Sequence, residues 1–189
     1  MTNPVAIFVD LDGTLVETRA ANHAAYAAAL AEAGVTVSRQ DFDRVAHGRN
    51  WRQFLPAMLE GRSADPAQVA RRKTELYPGL LHLTVLNTGL VRLLEAAKAT
   101  CPVALVTTAS GRNAHAILQH HDLHRLFDEV VTGDDVTRHK PAPDAYHLAA
   151  TRLGVEPARS LVIEDSDIGV QSGEAFGAPV LRVRMGEDA

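Results

Sequence analysis

The chain is poor in the residue types and patterns that mark several specialised classes of protein. It has one cysteine, Cys101, in 189 residues, so no disulfide can form within it. Its first residues lack the charged segment and apolar stretch of a signal peptide, and it has no run of about 18 apolar residues that could span a membrane. We therefore expect a cytoplasmic protein without a membrane partner.

Charge of either sign is not concentrated anywhere along the chain. The formal net charge is −4, with 22% charged and 46% apolar residues. Because there is no basic run and no stripe of aromatic and basic side chains, we expect no nucleic-acid partner. The composition and length fit a globular domain, either alone or with an insertion.

Short apolar runs predict a buried parallel sheet. Their hydrophobicity is continuous rather than alternating, as in strands that helices cover on both faces. The runs are residues 5–9, 102–106, 129–132, 160–163 and 179–183. Helical patterns separate the last four, with Ser110 as an N-cap and with Gly154 and Gly177 as C-terminal stops. The predicted fold class is α/β, a doubly wound parallel sheet of the Rossmann-like kind.

A long gap separates the first predicted strand from the second. Residues from Leu15 to Asn87 contain helical patterns, one of them opened by Asp65 as N-cap, and no convincing strand. A segment of this length cannot be one crossover loop. We therefore predict a small helical domain at residues 15–87, inserted into a core made of residues 1–14 and 88–189.

Polar residues follow the predicted strands at the edge where ligands bind to doubly wound sheets. Asp10 and Asp12 end the first strand. Thr107 and Thr108 follow the second, Lys140 comes after the third, and Glu164 and Asp165 follow the fourth. If the predicted sheet is right, these side chains lie close together.

Clustered carboxylates of this kind predict a divalent cation and phosphate chemistry. They repel one another unless a cation is present, and a hard ion with oxygen ligands, Mg²⁺, suits them. A carboxylate such as Asp10 can attack phosphorus and form an aspartyl phosphate. A second acid two residues away, Asp12, can protonate the leaving oxygen and later deprotonate water. Gly13 would permit the tight turn that brings Asp12 back over Asp10.

The motifs "DLDGTLV", "VTTAS", "KPAPD" and "IEDSDIGVQSGEAFGA" occur in this order along nearly the whole chain. With them the chain resembles the haloacid dehalogenase superfamily, in particular its capped phosphatases and β-phosphoglucomutase-like enzymes. The resemblance implies that the inserted helical domain is a cap that closes over a phosphate ester. True dehalogenases and phosphonate-cleaving relatives lack the second acid, so Asp12 favours phosphate ester chemistry.

The resemblance also implies a role for each matched residue. Asp10 is the expected nucleophile and a metal ligand. Asp12 is the expected acid/base, with its backbone carbonyl as a further metal ligand. Lys140 orders the nucleophile and the phosphate. Asp165 is the metal-binding acid of the last motif, and Glu164 is a ligand or lies directly behind one.

Four further residues complete the expected substrate contacts. By the same resemblance, the Thr107 hydroxyl binds phosphate with the Thr108 amide beside it. Among residues of the cap, His23 and Arg49 are the predicted substrate contacts. Asp167, also acidic, fits a helix start or the surface as well as it fits the site.

Three functions remain open from the sequence. The first is a Mg²⁺-dependent phosphatase acting on a small phosphorylated metabolite, in a chain that is a monomer or a weak homodimer. The second is a sugar-phosphate phosphomutase using the same aspartyl phosphate. The third, a phosphoacceptor or binding module without enzymatic activity, fits poorly with Asp12 and the large insertion.

Overall fold

The structure is a computed structural model that describes residues 6–46, 49 and 51–185. The chain divides into two compact units. We call Met1–Glu17 with Val85–Ala189 the sheet unit and Thr18–Thr84 the helical unit. The boundaries predicted from the sequence, after residue 14 and before residue 88, differ slightly from this division, and the assignment of the two units as core and cap stays a prediction.

The strands of the described residues are, in chain order, β1 (Ala6–Val9), β2 (Val16–Glu17), β3 (Val85–Leu86), β4 (Val103–Val106), β5 (Glu129–Val131), β6 (Ser160–Glu164) and β7 (Val180–Arg182). The α-helices are α1 (Arg19–Glu32), α2 (Arg39–Ala46), α3 (Trp51–Met58), α4 (Pro66–Leu76), α5 (Thr88–Lys98), α6 (Gly111–His120), α7 (Asp144–Leu153) and α8 (Asp167–Phe176). Short 3₁₀ helices cover Tyr77–Leu83 and Pro157–Arg159.

The predicted parallel sheet is confirmed. Its five strands lie in the order β5-β4-β1-β6-β7, and every neighbouring pair is parallel. Each residue of β1 is buried, which explains the unbroken apolar run that predicts this strand. Val5, which the sequence places in the same strand, lies outside the described residues. Because β4 and β6 flank β1, their carboxyl ends meet the end of β1 at one edge of the sheet.

Local signals in the sequence fix the ends of several helices. Ser110 caps α6 by accepting a hydrogen bond from the amide of Asn113, and Asp65 caps α4 through the amide of Ala67. Gly154 ends α7 and Gly177 ends α8, both in the left-handed conformation that glycine adopts without steric cost. These predicted caps and stops are therefore confirmed.

The prediction that residues 15–87 contain no strand is wrong at both ends of that segment. β2 and β3 pair antiparallel where the chain leaves and re-enters the sheet unit, with Val16 opposite Leu86 and Glu17 opposite Val85. Each strand has two residues, which is too short to produce an alternating pattern in the sequence.

The helical unit has its own apolar core. Leu30, Phe42, Phe54 and Leu55 are buried in one cluster, and the rings of Phe42 and Phe54 meet edge to face with their centroids 5.8 Å apart. Such a cluster explains why the helical patterns of the inserted segment persist as packed helices. None of the described helices is long and apolar enough to cross a membrane.

Candidate active site

The first strand delivers Asp10 to the carboxyl edge of the sheet. Its amide donates a hydrogen bond to the carbonyl of Ile163 at 3.0 Å, so parallel pairing with β6 continues up to the acid itself. The Asp10 side chain is nine-tenths buried. A carboxylate in this position is held rigidly by the strand and is largely removed from water.

A tight turn follows Asp10 and brings the chain against Asp165. Gly13 has a φ of +85° and donates its amide to the carbonyl of Val16 at 2.8 Å. A Cβ atom on Gly13 would lie 2.3 Å from Oδ2 of Asp165, so only glycine fits there. Thr14 donates its hydroxyl to Oδ1 of the same aspartate at 3.2 Å. The half-buried Asp12 lies within this turn.

Lys140 is the centre of the charged network. Its buried ammonium donates to Asp10 Oδ1 at 2.7 Å, to the carbonyl of Val106 at 2.8 Å and to Glu164 Oε1 at 2.5 Å. Three donated bonds use the full capacity of an ammonium group. One lysine therefore ties together the ends of β1, β4 and β6.

Glu164, the last residue of β6, is held from several sides. Its Oε1 accepts from Lys140 and, at 2.8 Å, from the hydroxyl of Tyr146. The Ser166 hydroxyl approaches Oε2 at 3.4 Å. A Cβ atom on Gly169 would lie 2.1 Å from the Glu164 carboxyl group, so the first turn of α8 admits this carboxylate only because it carries a glycine there.

The network carries more negative than positive charge. Burial raises the pKa of Asp10 well above its usual value, and the charges of Glu164, Asp165 and Asp12 raise it further against the opposing effect of Lys140. Burial alone would lower the pKa of Lys140, but the charges of Asp10 and Glu164 outweigh it and hold that pKa above the usual range. The site is thus electrostatically suited to a further cation.

Thr107 and Thr108 follow β4 beside the carbonyl that Lys140 binds. The buried Thr107 hydroxyl accepts from the amide of Ala109 at 3.0 Å. The loop after β5 packs against the loop after β4, since a Cβ atom on Gly133 would lie 2.4 Å from the Thr108 carbonyl oxygen. These contacts fix both threonines at the same sheet edge as Asp10.

Comparison with known proteins is decisive for the family. The sequence model of the haloacid dehalogenase-like hydrolases matches residues 5–177. The chain belongs to the haloacid dehalogenase-like hydrolases. The resemblance predicted from the four motifs is confirmed, and so is the prediction that the chain is a hydrolase of this superfamily.

Curated relatives and solved structures agree with this membership. The chain is 34% identical over 181 residues to the fructose-1-phosphate phosphatase YqaB of Escherichia coli, covering 95% of this chain and 96% of YqaB. It is 31% identical over 179 residues to a phosphorylated carbohydrates phosphatase of Thermotoga maritima, covering 91% of this chain and 81% of that phosphatase. The crystal structure of a CbbY mutant from Rhodobacter sphaeroides in complex with xylulose-(1,5)bisphosphate matches with a TM-score of 0.86 and 28% identity, covering 97% of this chain and 87% of CbbY.

The acidic groups of this hydrolase fit a divalent metal ion. Asp10, Glu164 and Asp165 each offer a carboxylate oxygen, and the three oxygens lie within 4.8 Å of one another. Hard cations such as Mg²⁺ prefer oxygen ligands of this kind, and a double positive charge would offset the excess of carboxylates. The predicted metal site is therefore compatible with the side chains that the structure brings together.

The predicted substrate contacts of the cap lie in the helical unit. His23 is on α1, where its ring meets that of Phe42 at 5.6 Å. Arg49 is exposed and approaches the carbonyl of Val45 at 3.4 Å. Their roles in substrate binding stay predictions. Asp167 begins α8 and pairs with Arg182 at 2.6 Å while remaining largely exposed, which matches the predicted helix-start or surface role.

Sequence reasoning missed two side chains of the network, Tyr146 and Thr14. Tyr146 lies in "KPAPDAY" on a helix predicted to pack on the sheet, and a buried tyrosine hydroxyl requires a partner. The sequence could therefore predict that the Tyr146 hydroxyl has a buried hydrogen-bond acceptor, but not that this acceptor is Glu164. Thr14 stands inside "DLDGTLV", but its bond to Asp165 joins residues 151 positions apart, which no local pattern reveals.

Proposed function

We propose that this protein hydrolyses the phosphoric monoester of a small phosphorylated metabolite, of the sugar-phosphate class, through an aspartyl phosphate on Asp10. The observation that carries the proposal is the bridge that Lys140 makes between Asp10 and Glu164, at the sheet edge that also holds Asp165. The fructose-1-phosphate phosphatase and the carbohydrate phosphatase among the relatives support the substrate class.

Asp10 is the nucleophile in this proposal. Lys140 donates to Oδ1, and an oxygen that accepts a hydrogen bond from an ammonium is the poorer nucleophile. We therefore assign the attack on phosphorus to Oδ2. Attack forms the Oδ2–P bond and breaks the bond from phosphorus to the ester oxygen. Because β1 fixes the Asp10 backbone, the attacking atom needs little reorganisation.

Asp12 supplies and removes the proton. It donates a proton to the ester oxygen as that bond breaks, which releases the alcohol. It then accepts a proton from the water that attacks the aspartyl phosphate, which releases inorganic phosphate and restores the Asp10 carboxylate. Thr107 and the amide of Thr108 bind the phosphate oxygens, and Lys140 offsets their charge.

Asp10, Asp165 and the carbonyl of Asp12 would hold a Mg²⁺ ion, with Glu164 behind them because its Oε1 already accepts two hydrogen bonds. When bound, Mg²⁺ neutralises the acids and stabilises the charge that develops on the transferring phosphoryl group. The residues of the chain hold the nucleophile, the phosphate and the proton in place.

Phosphate release by the purified protein tests the proposal. A panel of hexose, pentose and triose phosphates is incubated with Mg²⁺, and both inorganic phosphate and the remaining sugar are measured. Release of phosphate from at least one sugar phosphate is the expected result. Conversion of one sugar phosphate into its isomer without phosphate release would instead identify a phosphomutase. No reaction on any phosphate ester would contradict the proposal.

A further inference from the structure

Tyr146 is a completely buried tyrosine on α7, six residues after Lys140. Its hydroxyl donates to Glu164 Oε1 at 2.8 Å. Its ring packs against Phe8 and Phe176 of the sheet unit, with centroids 6.2 and 5.8 Å away. Phe8 and Phe176 also pack against each other, with centroids 5.6 Å apart, so Tyr146 belongs to one close-packed aromatic cluster that holds its hydroxyl toward Glu164.

The bond from Tyr146 reaches the oxygen that also holds Lys140. A carboxylate oxygen has two lone pairs, and Glu164 Oε1 uses them for the Tyr146 hydroxyl and the Lys140 ammonium. The Lys140 ammonium also lies 5.1 Å from the centre of the Tyr146 ring, within range of a cation–π interaction. Tyr146 therefore contacts both groups that stand behind Asp10.

The hydroxyl remains a donor. Burial raises the pKa of Tyr146 well above its usual value, and the charges of Glu164 and Asp10 add to this against the opposing effect of Lys140. A neutral phenol beside a buried carboxylate gives a charge-assisted hydrogen bond, which is stronger than one between neutral groups.

We propose that Tyr146 is a positioning residue that fixes the Glu164 carboxylate and, through it, the Lys140 ammonium against Asp10. The expected effect of Tyr146 on kcat rests on the proposed function. Its expected effect on the position of Lys140 rests only on the hydrogen bonds of the network. Without the hydroxyl, the Glu164 carboxylate loses one of its fixed donors and can rotate. Lys140 then loses the fixed acceptor that keeps it beside Asp10 Oδ1, and the nucleophile is less well oriented.

The variant Tyr146→Phe removes one oxygen atom and keeps the ring in its packing. We expect kcat to fall about tenfold to a hundredfold, the range for a lost hydrogen bond to a charged group. KM is expected to stay within twofold because Tyr146 does not touch the substrate. Tyr26→Phe makes the same chemical change in a partly buried tyrosine that packs against the apolar cluster of the helical unit, and it should leave kcat within twofold. An unchanged kcat in Tyr146→Phe, or a loss that appears in KM instead, would overturn the inference.

A second readout does not depend on activity. The chain has three lysines, Lys73, Lys98 and Lys140, so the ¹⁵N side-chain NMR spectrum contains three ammonium signals that lysine variants assign. We expect Tyr146→Phe to shift or broaden the Lys140 signal and to leave that of the half-exposed Lys98 unchanged. A Lys140 signal that does not change would overturn the inference, whatever happens to kcat.

The two readouts separate this inference from the proposed function. If the wild-type protein hydrolyses no phosphate ester, the proposed function fails, and the Lys140 signal still decides whether Tyr146 positions the network. Glu164→Gln keeps a carbonyl oxygen for Tyr146 but removes the charge that attracts Lys140. It should shift the same Lys140 signal, which shows that this signal reports the contact with Glu164. If Tyr146→Phe does not fold, Tyr146→Met, which also lacks the hydroxyl and has a flexible apolar side chain, replaces it, and an unchanged Lys140 signal there would overturn the inference.

Discussion

The ion pair of Arg72 in the helical unit and the ion pairs of Lys140 at the edge of the sheet lie in opposite environments. In the helical unit Arg72 contacts Glu32 at 2.9 Å with both side chains about half exposed. At the edge of the sheet Lys140 contacts Asp10 and Glu164 with side chains that are 3%, 10% and 1% exposed. An exposed pair gains little because water and salt screen it, whereas a buried pair pays a large desolvation cost.

The contrast shows where function is encoded. Replacing a buried ion pair by apolar side chains of similar volume is often neutral or stabilising, so stability alone does not explain the Lys140 network. The pair between Arg72 and Glu32, in contrast, belongs to a surface that tolerates change. Variants of these two sets of ion pairs should therefore differ in what they alter: activity for the Lys140 network, and at most stability for the pair between Arg72 and Glu32.

The largest expected effect comes from Asp10→Asn. An amide cannot attack phosphorus, so we expect kcat to fall at least about a thousandfold while the protein stays folded. The matched control is Asp167→Asn at the exposed start of α8, which should keep kcat within twofold. Phosphate release measures kcat, and circular dichroism shows whether each variant is folded. Substantial activity in a contamination-free Asp10→Asn preparation would remove Asp10 as the nucleophile.

Removal of divalent cations should affect the sheet edge alone. EDTA is expected to lower activity at least about a hundredfold and Mg²⁺ to restore it, while Ca²⁺ inhibits because it accepts more ligands and can occupy both oxygens of Asp10. Phosphate release is followed at each step. Undiminished activity in a metal-free preparation would contradict the proposed cation site at Asp10, Asp165 and the carbonyl of Asp12.

Two glycines, one in each unit, separate effects on the site from effects on the backbone. Gly169→Ala places a Cβ atom against the Glu164 carboxyl group, so we expect kcat to fall at least about tenfold through misplacement of the network. Gly34→Ala meets no atom within 4 Å but has a φ of +73°, so it should cost about 1 kcal/mol of stability and leave kcat unchanged. Equal losses of kcat in both variants would show that the tight packing around Glu164 has no special role.

The smallest effect is expected for Arg72→Ala in the helical unit. This change removes the exposed ion pairs with Glu32 and Glu75. Because such pairs contribute little, Tm should fall by about 2 °C or less, and kcat should stay within twofold. Differential scanning calorimetry measures the change in Tm, and phosphate release measures kcat. A fall in kcat like that of Gly169→Ala would contradict the proposed difference between the exposed and the buried ion pairs.

The fold was largely predictable because its signals are local. Unbroken apolar runs identify the parallel strands, and Ser110, Asp65, Gly154 and Gly177 mark helix ends through their own side chain or backbone conformation. The strands β2 and β3 were not predictable because two residues carry no periodicity.

The candidate site was predictable only in part, for a related reason. The topology of a parallel sheet brings the ends of β1, β4 and β6 together, so Asp10, Glu164 and Asp165 could be grouped from the order of strands alone. The hydrogen-bond partners of these carboxylates could not be predicted in this way. Tyr146 and Glu164 are 18 residues apart, and their bond exists because α7 packs with this ring toward the sheet. Such contacts are set by tertiary packing rather than by any motif.

The most direct test of the central claim is to trap the phosphoryl group on Asp10. In Asp12→Ala, an activated ester such as p-nitrophenyl phosphate needs little proton donation, so it should still phosphorylate the enzyme. Hydrolysis of the aspartyl phosphate should be slow because no side chain deprotonates the attacking water. Loss of a general acid/base typically lowers a rate by a factor of about 10²–10⁴. We predict a burst of nitrophenolate and, by mass spectrometry of acid-quenched protein, one phosphoryl group on the peptide that carries Asp10. Turnover without any phosphoryl group on that peptide would contradict the account.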